Sequence, residues 1–183
     1  MKNTYPHRLM SRKEMELALS RIAAEVLEDH PHLSEVLLVG ILRRGVPLSK
    51  RLKKEIEKLS GEQLALGILD ITFYRDDLSL IDTQPVVEGS SLNFEVNGRD
   101  VLLIDDVLYT GRTTRAALDS LLDYGRPRRI KLAVLVDRGH RELPIQPDYV
   151  GKVVDTEENE VIEVRIPPVD DKEGVFLTTR ALL

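Results

Sequence analysis

The sequence predicts an α/β domain with a mostly parallel sheet flanked by helices. Short apolar runs alternate with segments whose apolar residues recur at helical spacing, which is the pattern of βαβ units. Residues 101–104 are apolar throughout, as expected of a strand covered on both faces. A chain of 183 residues suits one hydrophobic core, and no linker or repeat divides it, so we expect residues 1–183 to form a single domain.

The helices are predicted from capping residues and apolar stripes. Ser11 and Glu14 form a capping box that begins the first helix, and Pro31 prevents its continuation. Gly61 and Gly125 supply the C-terminal caps of the other two helices. The first predicted helix ends at about Asp29. The second and third span about residues 47–59 and 113–124.

The strands are predicted from short apolar runs bounded by turn-forming residues. They are expected at residues 35–39, 64–73, 101–104, 130–136, 149–154 and 161–166. Residues 74–92 are polar and lack a clear period, which is typical of a functional loop or an extended hairpin. His7 is expected to be disordered, and His30 and His32 are expected to form a polar turn rather than a metal site.

Composition and charge exclude several classes of protein. No window approaches the roughly 18 apolar residues of a membrane helix, and residues 1–12 lack the apolar core of an export signal, so we expect a cytoplasmic protein. The absence of cysteine excludes disulfides and thiolate zinc sites. A net charge of −5 argues against bulk nucleic-acid binding. Solvated faces are expected for the charged runs at residues 50–54, 126–131, 138–141, 155–163 and 170–173.

Two adjacent carboxylates and a threonine–glycine loop follow the most apolar strand. Asp105 and Asp106 stand at the carboxyl end of that strand, where ligands of open parallel sheets bind. Thr110, Gly111 and Thr113 then lead into a helix whose free N–H groups and dipole suit a phosphate. The carboxylates repel phosphate but accept hydrogen bonds from sugar hydroxyls or bind a divalent metal. The segment therefore predicts a site for a ribose 5-phosphate.

This segment also resembles a known signature. The sequence contains neither G-x-x-x-x-G-K-[ST] nor G-x-G-x-x-G. From Ile104 to Thr113 it resembles the signature of type I phosphoribosyltransferases, which bind 5-phosphoribosyl-1-pyrophosphate (PRPP). The resemblance implies the type I phosphoribosyltransferase fold, with a small hood and a mobile hairpin loop. It implies that PRPP or nucleotide is bound by Asp105, Asp106, Val107, Leu108, Tyr109, Thr110, Gly111, Arg112 and Thr113.

Two further segments agree with this resemblance. Residues 40–45 follow the first apolar strand, where the family has its pyrophosphate loop, often with a strained peptide, and Arg43 and Arg44 suit phosphate oxygens. Residues 69–78 resemble the family's catalytic loop, which closes over PRPP and excludes water. Arg75 is the candidate in that loop to reach the leaving pyrophosphate. The candidate catalytic residues are therefore Asp105, Asp106 and Arg75.

Residues 136–145 follow another buried strand, where the family recognises the base. Their sequence, together with residues 69–78, resembles the PyrR family, and the resemblance extends over about residues 17–152. PyrR proteins regulate pyrimidine genes by binding nascent mRNA and have uracil phosphoribosyltransferase activity. The resemblance implies base recognition by Asp137 and Arg138, with PRPP, uracil and UMP as ligands. It also implies Mg²⁺, bound through PRPP alone or through PRPP and the two acidic residues of the signature.

A basic RNA-binding surface on a homodimer or higher oligomer is a further implication of the PyrR resemblance. The matching positions hold Ser20, Arg21, Arg141 and Lys152. Ala24 and Gln146 depart from the His and Arg common at those positions in the family. Arg141 has an alternative interpretation, since it could pair with a nearby acid.

Two other functions remain open as alternatives to this interpretation. The favoured reaction is uracil plus PRPP giving UMP and pyrophosphate, joined to UMP-dependent binding of pyrimidine-operon leader mRNA and transcription attenuation. One rival is a purine or other nucleobase phosphoribosyltransferase without an RNA role, although no aromatic residue lies at residues 134–145 to stack on a purine. The other rival is an RNA-binding regulator whose weakly active site only senses nucleotide.

Overall fold

The protein is built from three helices and two sheets within the described part of the chain. The computed structural model describes residues 6–75, 91 and 95–179. In chain order the elements are β1 (His7–Met10), α1 (Arg12–Asp29), β2 (Val36–Ile41), α2 (Gly45–Ser60), β3 (Ala65–Leu69), β4 (Asp100–Leu108), α3 (Arg112–Leu122), β5 (Arg129–Asp137), β6 (Tyr149–Val153), β7 (Glu160–Arg165) and β8 (Gly174–Thr179).

A five-stranded parallel sheet forms the centre, in the order β3-β2-β4-β5-β6. Helices α1 and α2 pack on one face, where they bury Leu102 and Ile104 of β4. Helix α3 packs on the other face, against Val101 and Leu103. The alternation along β4 therefore explains why residues 101–104 are continuously apolar, and the predicted parallel α/β architecture is confirmed.

A second sheet of three antiparallel strands joins the two ends of the described chain, in the order β1-β8-β7. Strand β1 was not predicted, and the expectation that His7 is disordered was wrong, because His7 pairs with Leu177 of β8. This strand is only four residues long and mostly exposed, so its apolar pattern is too weak to identify. We call the sheet of β1, β7 and β8 the hood.

Most predicted boundaries hold within a few residues, and the capping box is confirmed by the Ser11 N–H donating to Glu14 Oε2 at 2.7 Å. The strand predicted at residues 64–73 was too long. Strand β3 stops at Leu69 because the Asp70 carboxylate accepts from both the N–H and the hydroxyl of Thr72, at 2.9 and 2.6 Å, and so forms a turn. Most of the predicted irregular segment, namely residues 76–90 and 92, lies outside the described residues.

A charged network closes the amino edge of the central sheet. The carboxylate of Asp100 accepts from Arg128 Nε at 2.8 Å and from Arg129 Nη2 at 2.7 Å. The His30 ring, expected in a polar turn, is only 4% exposed and lies 3.1 Å from Arg129 Nη2 and 3.3 Å from Asp100. Burial and the Arg129 charge lower the pKa of His30. No helix in the described ranges has the length and apolarity to cross a membrane.

Candidate active site

Three chain segments meet at the carboxyl edge of the central sheet. They are residues 41–45 at the end of β2, residues 105–113 at the end of β4, and residues 137–145 at the end of β5. The strand registers pair Leu108 with Asp137, so β4 and β5 end at the same level, whereas Gly40 pairs with Ile104, so β2 ends beside the acid pair of β4. The structure therefore brings together the segments that carry the predicted pyrophosphate, ribose phosphate and base sites.

The two carboxylates lie within the last residues of strand β4 rather than after it, because β4 extends to Leu108. Asp105 is 7% exposed and borders a small apolar void lined by Leu19, Leu48 and Leu135. Its Oδ1 accepts from the Asp106 N–H at 2.9 Å. The acid pair is therefore fixed at the sheet edge by the strand itself.

Burial is the main reason why the two carboxyl groups of this pair are weaker acids than usual. It raises the pKa of Asp105 well above its ordinary value, and the neighbouring charge of Asp106 raises it further. The charge of Arg75 opposes that shift, so the candidate from the catalytic loop acts on this carboxyl group. Burial also raises the pKa of Asp106, against the influence of the Arg44 charge. Such a pair favours hydroxyl donors or a cation that relieves the buried negative charge.

The N-terminus of α2 packs directly behind these carboxylates. Gly45 begins the helix, and a Cβ at that position would lie 2.3 Å from the carbonyl oxygen of Ile104. Glycine is therefore required for α2 to start against β4. The peptide between Leu42 and Arg43, in the predicted pyrophosphate loop, is cis.

Arg44 is bound by the loop that joins β7 to β8 in the hood. Its Nε and Nη2 donate to the two carboxylate oxygens of Asp170 at 3.0 and 2.8 Å. Asp170 also accepts from the Ile166 N–H at 2.9 Å. The predicted contact of Arg44 with phosphate stays a prediction, but in this structure its guanidinium connects the pyrophosphate loop to the hood. Sequence reasoning missed Asp170 because residues 170–173 were interpreted as a solvated face.

The predicted phosphate loop leads from β4 into α3. Gly111 is the N-cap of α3 with φ at 91°, a backbone conformation that favours glycine. As an N-cap without a side chain, Gly111 brings no acceptor of its own for the first-turn N–H groups. The Thr110 hydroxyl accepts from the Arg112 N–H at 3.3 Å. This geometry suits an anion at the helix N-terminus.

The β5–β6 connection is bonded to the phosphate loop. The carbonyl oxygen of Thr110 accepts from the N–H groups of Glu142 and Leu143, at 2.9 and 3.1 Å. A Cβ on Gly111 would lie 3.4 Å from side-chain atoms of Leu143 and Ile145. The two loops are therefore packed as one unit.

The candidate base-binding residues make several internal contacts. Arg138 is 5% exposed, and its guanidinium lies 4.1 Å from the centre of the Tyr109 ring. Its Nε donates to the Thr156 hydroxyl at 3.2 Å. Asp137 pairs with Arg141 at 2.6 Å. The role of Asp137 and Arg138 toward a base stays a prediction, with both side chains held in fixed positions.

The four candidate RNA-binding residues do not form one group. Arg21 of α1 donates to the Val150 carbonyl oxygen of β6 at 3.0 Å, and Lys152 of β6 donates to the Leu9 carbonyl oxygen at 3.0 Å. Ser20 precedes Arg21 on α1, but its hydroxyl donates to Glu55 Oε2 of α2 at 3.2 Å, so of these three residues only Arg21 and Lys152 lie at the α1–β6 surface. Arg141 belongs to the active-site loop, and its side chain is only 15% exposed. The alternative interpretation of Arg141, pairing with a nearby acid, is the arrangement that the structure has.

Comparisons with known proteins agree with this geometry. A family model described as the phosphoribosyl transferase domain matches residues 8–170. The Bifunctional protein PyrR of Alkaliphilus metalliredigens is 52% identical over 169 residues, which cover 92% of this chain and 93% of that protein. The Bifunctional protein PyrR of Thermus aquaticus gives the same identity and coverage. Among solved structures, the hypoxanthine phosphoribosyltransferase of Trypanosoma cruzi aligns with a TM-score of 0.72 over 96% of this chain and 98% of that chain, at 15% identity, a likeness of fold.

Proposed function

This chain belongs to the PyrR family of phosphoribosyltransferases, and from that premise we infer that it transfers the phosphoribosyl group of PRPP to uracil, forming UMP and pyrophosphate. The protein also regulates pyrimidine genes by binding leader mRNA. One observation carries the enzymatic half: an acid pair, of which Asp105 is buried, and a threonine–glycine helix N-terminus occupy the same end of β4. Those groups match the two ends of a ribose 5-phosphate.

In the proposed mechanism the protein works by positioning and charge stabilisation. Asp105 and Asp106 accept hydrogen bonds from the ribose hydroxyls, and the N–H groups and hydroxyls from Thr110 to Thr113 bind the 5-phosphate. Arg75 stabilises the leaving pyrophosphate as the bond from C1 to oxygen breaks. The new bond from C1 to uracil N1 replaces the broken bond from C1 to the pyrophosphate oxygen, and the proton of N1 passes to the released pyrophosphate or to water, so no covalent nucleophile is required.

A divalent cation fits the acid pair. Burial raises the pKa of both carboxyl groups, which is the electrostatic situation that a bound cation relieves. Asp105 and Asp106 are the residues that would hold Mg²⁺ together with PRPP oxygens, and the ion would neutralise charge on pyrophosphate. We propose Mg²⁺ for this reason and because phosphoribosyltransferases generally use PRPP together with Mg²⁺.

A pyrimidine is favoured over a purine by the surroundings of Tyr109. One face of this ring is covered by the Arg138 guanidinium, and its edge meets the His140 ring with centroids 5.8 Å apart. Tyr109 is thus engaged inside the protein, and no aromatic residue at 134–145 replaces it as a stacking partner. Uracil then lies beside the end of β5, near Asp137 and Arg138.

The regulatory half assigns RNA to Arg21 and Lys152 at the α1–β6 surface and to Ser20 of α1, with a homodimer joining two such sets of residues. A net charge of −5 does not oppose this, since exposed phosphates respond to charges within roughly 10 Å at ordinary salt. UMP strengthens the binding in this proposal, so that abundant pyrimidine nucleotide represses the pyrimidine genes.

Pyrophosphate release tests the enzymatic half. Wild-type protein with PRPP and Mg²⁺ should release pyrophosphate when uracil is added and should not do so with hypoxanthine. Release with hypoxanthine alone would support the purine alternative. Absence of release with either base would leave the nucleotide-sensing regulator as the better account.

A gel shift tests the regulatory half. The protein should retard the leader RNA of a pyrimidine operon from its own organism, and UMP should lower the protein concentration required. A scrambled RNA of equal length is the control. Equal retardation of both RNAs would remove the proposed regulatory role and leave the enzyme.

A further inference from the structure

Two ion pairs join the segment between β7 and β8 to helix α2. Asp170 pairs with Arg44, the N-cap residue of that helix. Glu173 pairs with Arg51, which lies about two turns further along α2. The first pair therefore lies where Gly45 packs against the end of β4, whereas the second joins the same two parts of the fold further from the acid pair.

The guanidinium of Arg44 is bound along one edge. Its Nε and Nη2 donate to the two carboxylate oxygens of Asp170, at 3.0 and 2.8 Å. The Asp170 carboxylate is itself fixed, because Oδ2 also accepts from the Ile166 N–H at 2.9 Å and the Asp170 N–H donates to the Ile166 carbonyl oxygen at 3.0 Å. A planar fork bound in this way has one orientation, and its remaining nitrogen, Nη1, faces away from Asp170.

The charge of Arg44 also acts on the acid pair of β4. Burial raises the pKa of Asp106, and the Arg44 charge opposes that shift. The hydrogen bonds to Asp170 are the main reason why the pKa of Arg44 lies above its usual value, and the Asp106 charge raises it further. The side chain of Arg44 is 34% exposed and that of Asp170 is 17% exposed. Arg44 is therefore held by an acid of the hood, close to the predicted ribose site, and stays accessible to a ligand.

We propose that Asp170 is a positioning residue of the hood that orients Arg44 toward the pyrophosphate group of PRPP. This inference rests on the proposed function, since it assigns a residue to the pyrophosphate end of the same substrate. Asp170 acts through the guanidinium that it binds and not by touching PRPP. The leaving group thus meets a cation whose side chain is ordered before the substrate arrives.

Preorganisation is the physical reason for this arrangement. A long side chain that is free in solvent loses rotamer freedom when it binds a ligand, and this loss weakens binding. The bonds from Arg44 to Asp170 impose the loss when the protein folds, so PRPP binding does not. The charge of Asp170 works in the opposite direction because it repels pyrophosphate. Water and salt screen that repulsion at a partly exposed pair, whereas they leave the fixed geometry unchanged, so positioning should prevail.

PRPP and UMP distinguish this role from a general effect on the fold. Both ligands carry a ribose 5-phosphate, but PRPP also carries a pyrophosphate. In calorimetry with Mg²⁺ and without uracil, Asp170→Asn should weaken PRPP binding by about 5- to 30-fold and leave UMP affinity within about twofold of wild type. Weakening of both ligands to the same extent would contradict a role at the pyrophosphate end.

Glu173→Gln is the matched control. It disrupts the second pair between the same two parts of the fold, again by replacing a carboxylate with its amide. It should leave the affinities for PRPP and UMP unchanged, and thermal melts of both variants show that each is folded in the assay. Equal weakening of PRPP binding by Glu173→Gln and Asp170→Asn would mean that attachment of the hood matters and not the orientation of Arg44, and would overturn the proposal.

A double variant tests whether Asp170 acts through Arg44. Lysine keeps the charge but lacks the planar fork, so Arg44→Lys should itself lower PRPP affinity. Adding Asp170→Asn to Arg44→Lys should then weaken PRPP binding by less than about twofold, because the group that Asp170 positions is already lost. Independent losses that multiply in the double variant would count against the proposal. Tighter PRPP binding by Asp170→Asn would make Asp170 a competitor for Arg44 and would also overturn it.

The wild-type protein separates failure of this role from failure of the proposed function. If wild type binds PRPP but releases no pyrophosphate with uracil, the proposed reaction fails, and the PRPP affinities of the variants still decide the role of Asp170. If wild type binds UMP but not PRPP, both fail. If wild type carries out the reaction and Asp170→Asn keeps wild-type PRPP affinity, the positioning role alone fails.

Discussion

Replacing Asp105 by asparagine should stabilise the ligand-free protein while damaging the enzyme. Asparagine has nearly the same shape and keeps an oxygen to accept the Asp106 N–H, but it removes a charge from an apolar setting. Burial raises the pKa of Asp105, which means that the folded state resists the ionised form. The substitution removes that resistance at neutral pH.

The size of the effect follows from the burial of one poorly compensated group. Relief on the order of 1–3 kcal/mol is expected, by analogy with the cost of an unsatisfied buried group. For a protein of this size about 1 kcal/mol moves the Tm by roughly 2–4 °C, so Asp105→Asn should melt roughly 2–12 °C higher at pH 7. Loss of a charged acceptor for the ribose should lower kcat/KM for PRPP by about 10- to 150-fold.

The difference in Tm between Asp105→Asn and wild type should depend on pH in one direction. An acid whose folded pKa is raised destabilises the protein above that pKa and has no such effect below its unfolded pKa of about 3.9. The Tm advantage of Asp105→Asn over wild type should therefore shrink as the pH falls from 7 toward 4. Other titrating groups cancel in this difference because both proteins contain them.

Calorimetric melting from pH 4 to 7, with steady-state kinetics at pH 7, measures both effects. Asp119→Asn is the matched control, since it makes the same change on the exposed face of α3. That control should stay within about 0.5 kcal/mol of wild type. A variant of Asp105 that melts lower than wild type at pH 7, or that keeps full activity, would refute the reasoning.

Four further outcomes follow from the same site and fold. Thr110→Ala and Thr113→Ala should each weaken UMP binding by about 1.5–3 kcal/mol in calorimetry, and unchanged affinity would remove their phosphate role. Asp170→Asn should lower the free energy of unfolding by about 1–2 kcal/mol, a figure reduced for the partial exposure of Arg44. It should also raise KM for PRPP more than KM for uracil. Equal changes in the two KM values would argue against a role of the Arg44–Asp170 pair in the pyrophosphate loop. In thermal melts, wild-type stability relative to His30→Gln should fall as the pH drops below about 6.5, because the lowered pKa of His30 lets the unfolded wild-type chain take up a proton first. A metal chelator should abolish uracil-dependent pyrophosphate release, and excess Mg²⁺ should restore it, whereas activity that survives chelation would contradict the proposed ion.

The central sheet and the candidate site were predictable because their signals are local. The apolar run at residues 101–104 specifies a buried strand, and Asp105 to Thr113 follow it without interruption. Capping chemistry is equally local, as Ser11 and Gly61 show at opposite ends of two helices. These features depend on neighbours within a few residues, so the sequence alone defines them.

Other features depend on partners that are distant in sequence. Arg44 and Asp170 are 126 positions apart, and neither residue alone indicates that the hood is bonded to the pyrophosphate loop. The short edge strand β1 depends on pairing with β8 at the other end of the chain. Arg141 carries the charge expected of an RNA contact, and only the folded loops reveal the acceptors around it.

A crystal structure with bound UMP tests the central claim most directly. The UMP phosphate should accept hydrogen bonds from the N–H groups and hydroxyls from Thr110 to Thr113, and the ribose hydroxyls should donate to Asp105 and Asp106. The base should then lie beside the end of β5, near Asp137 and Arg138. Nucleotide density at any other edge of the sheet, or a phosphate away from the N-terminus of α3, would contradict the assignment.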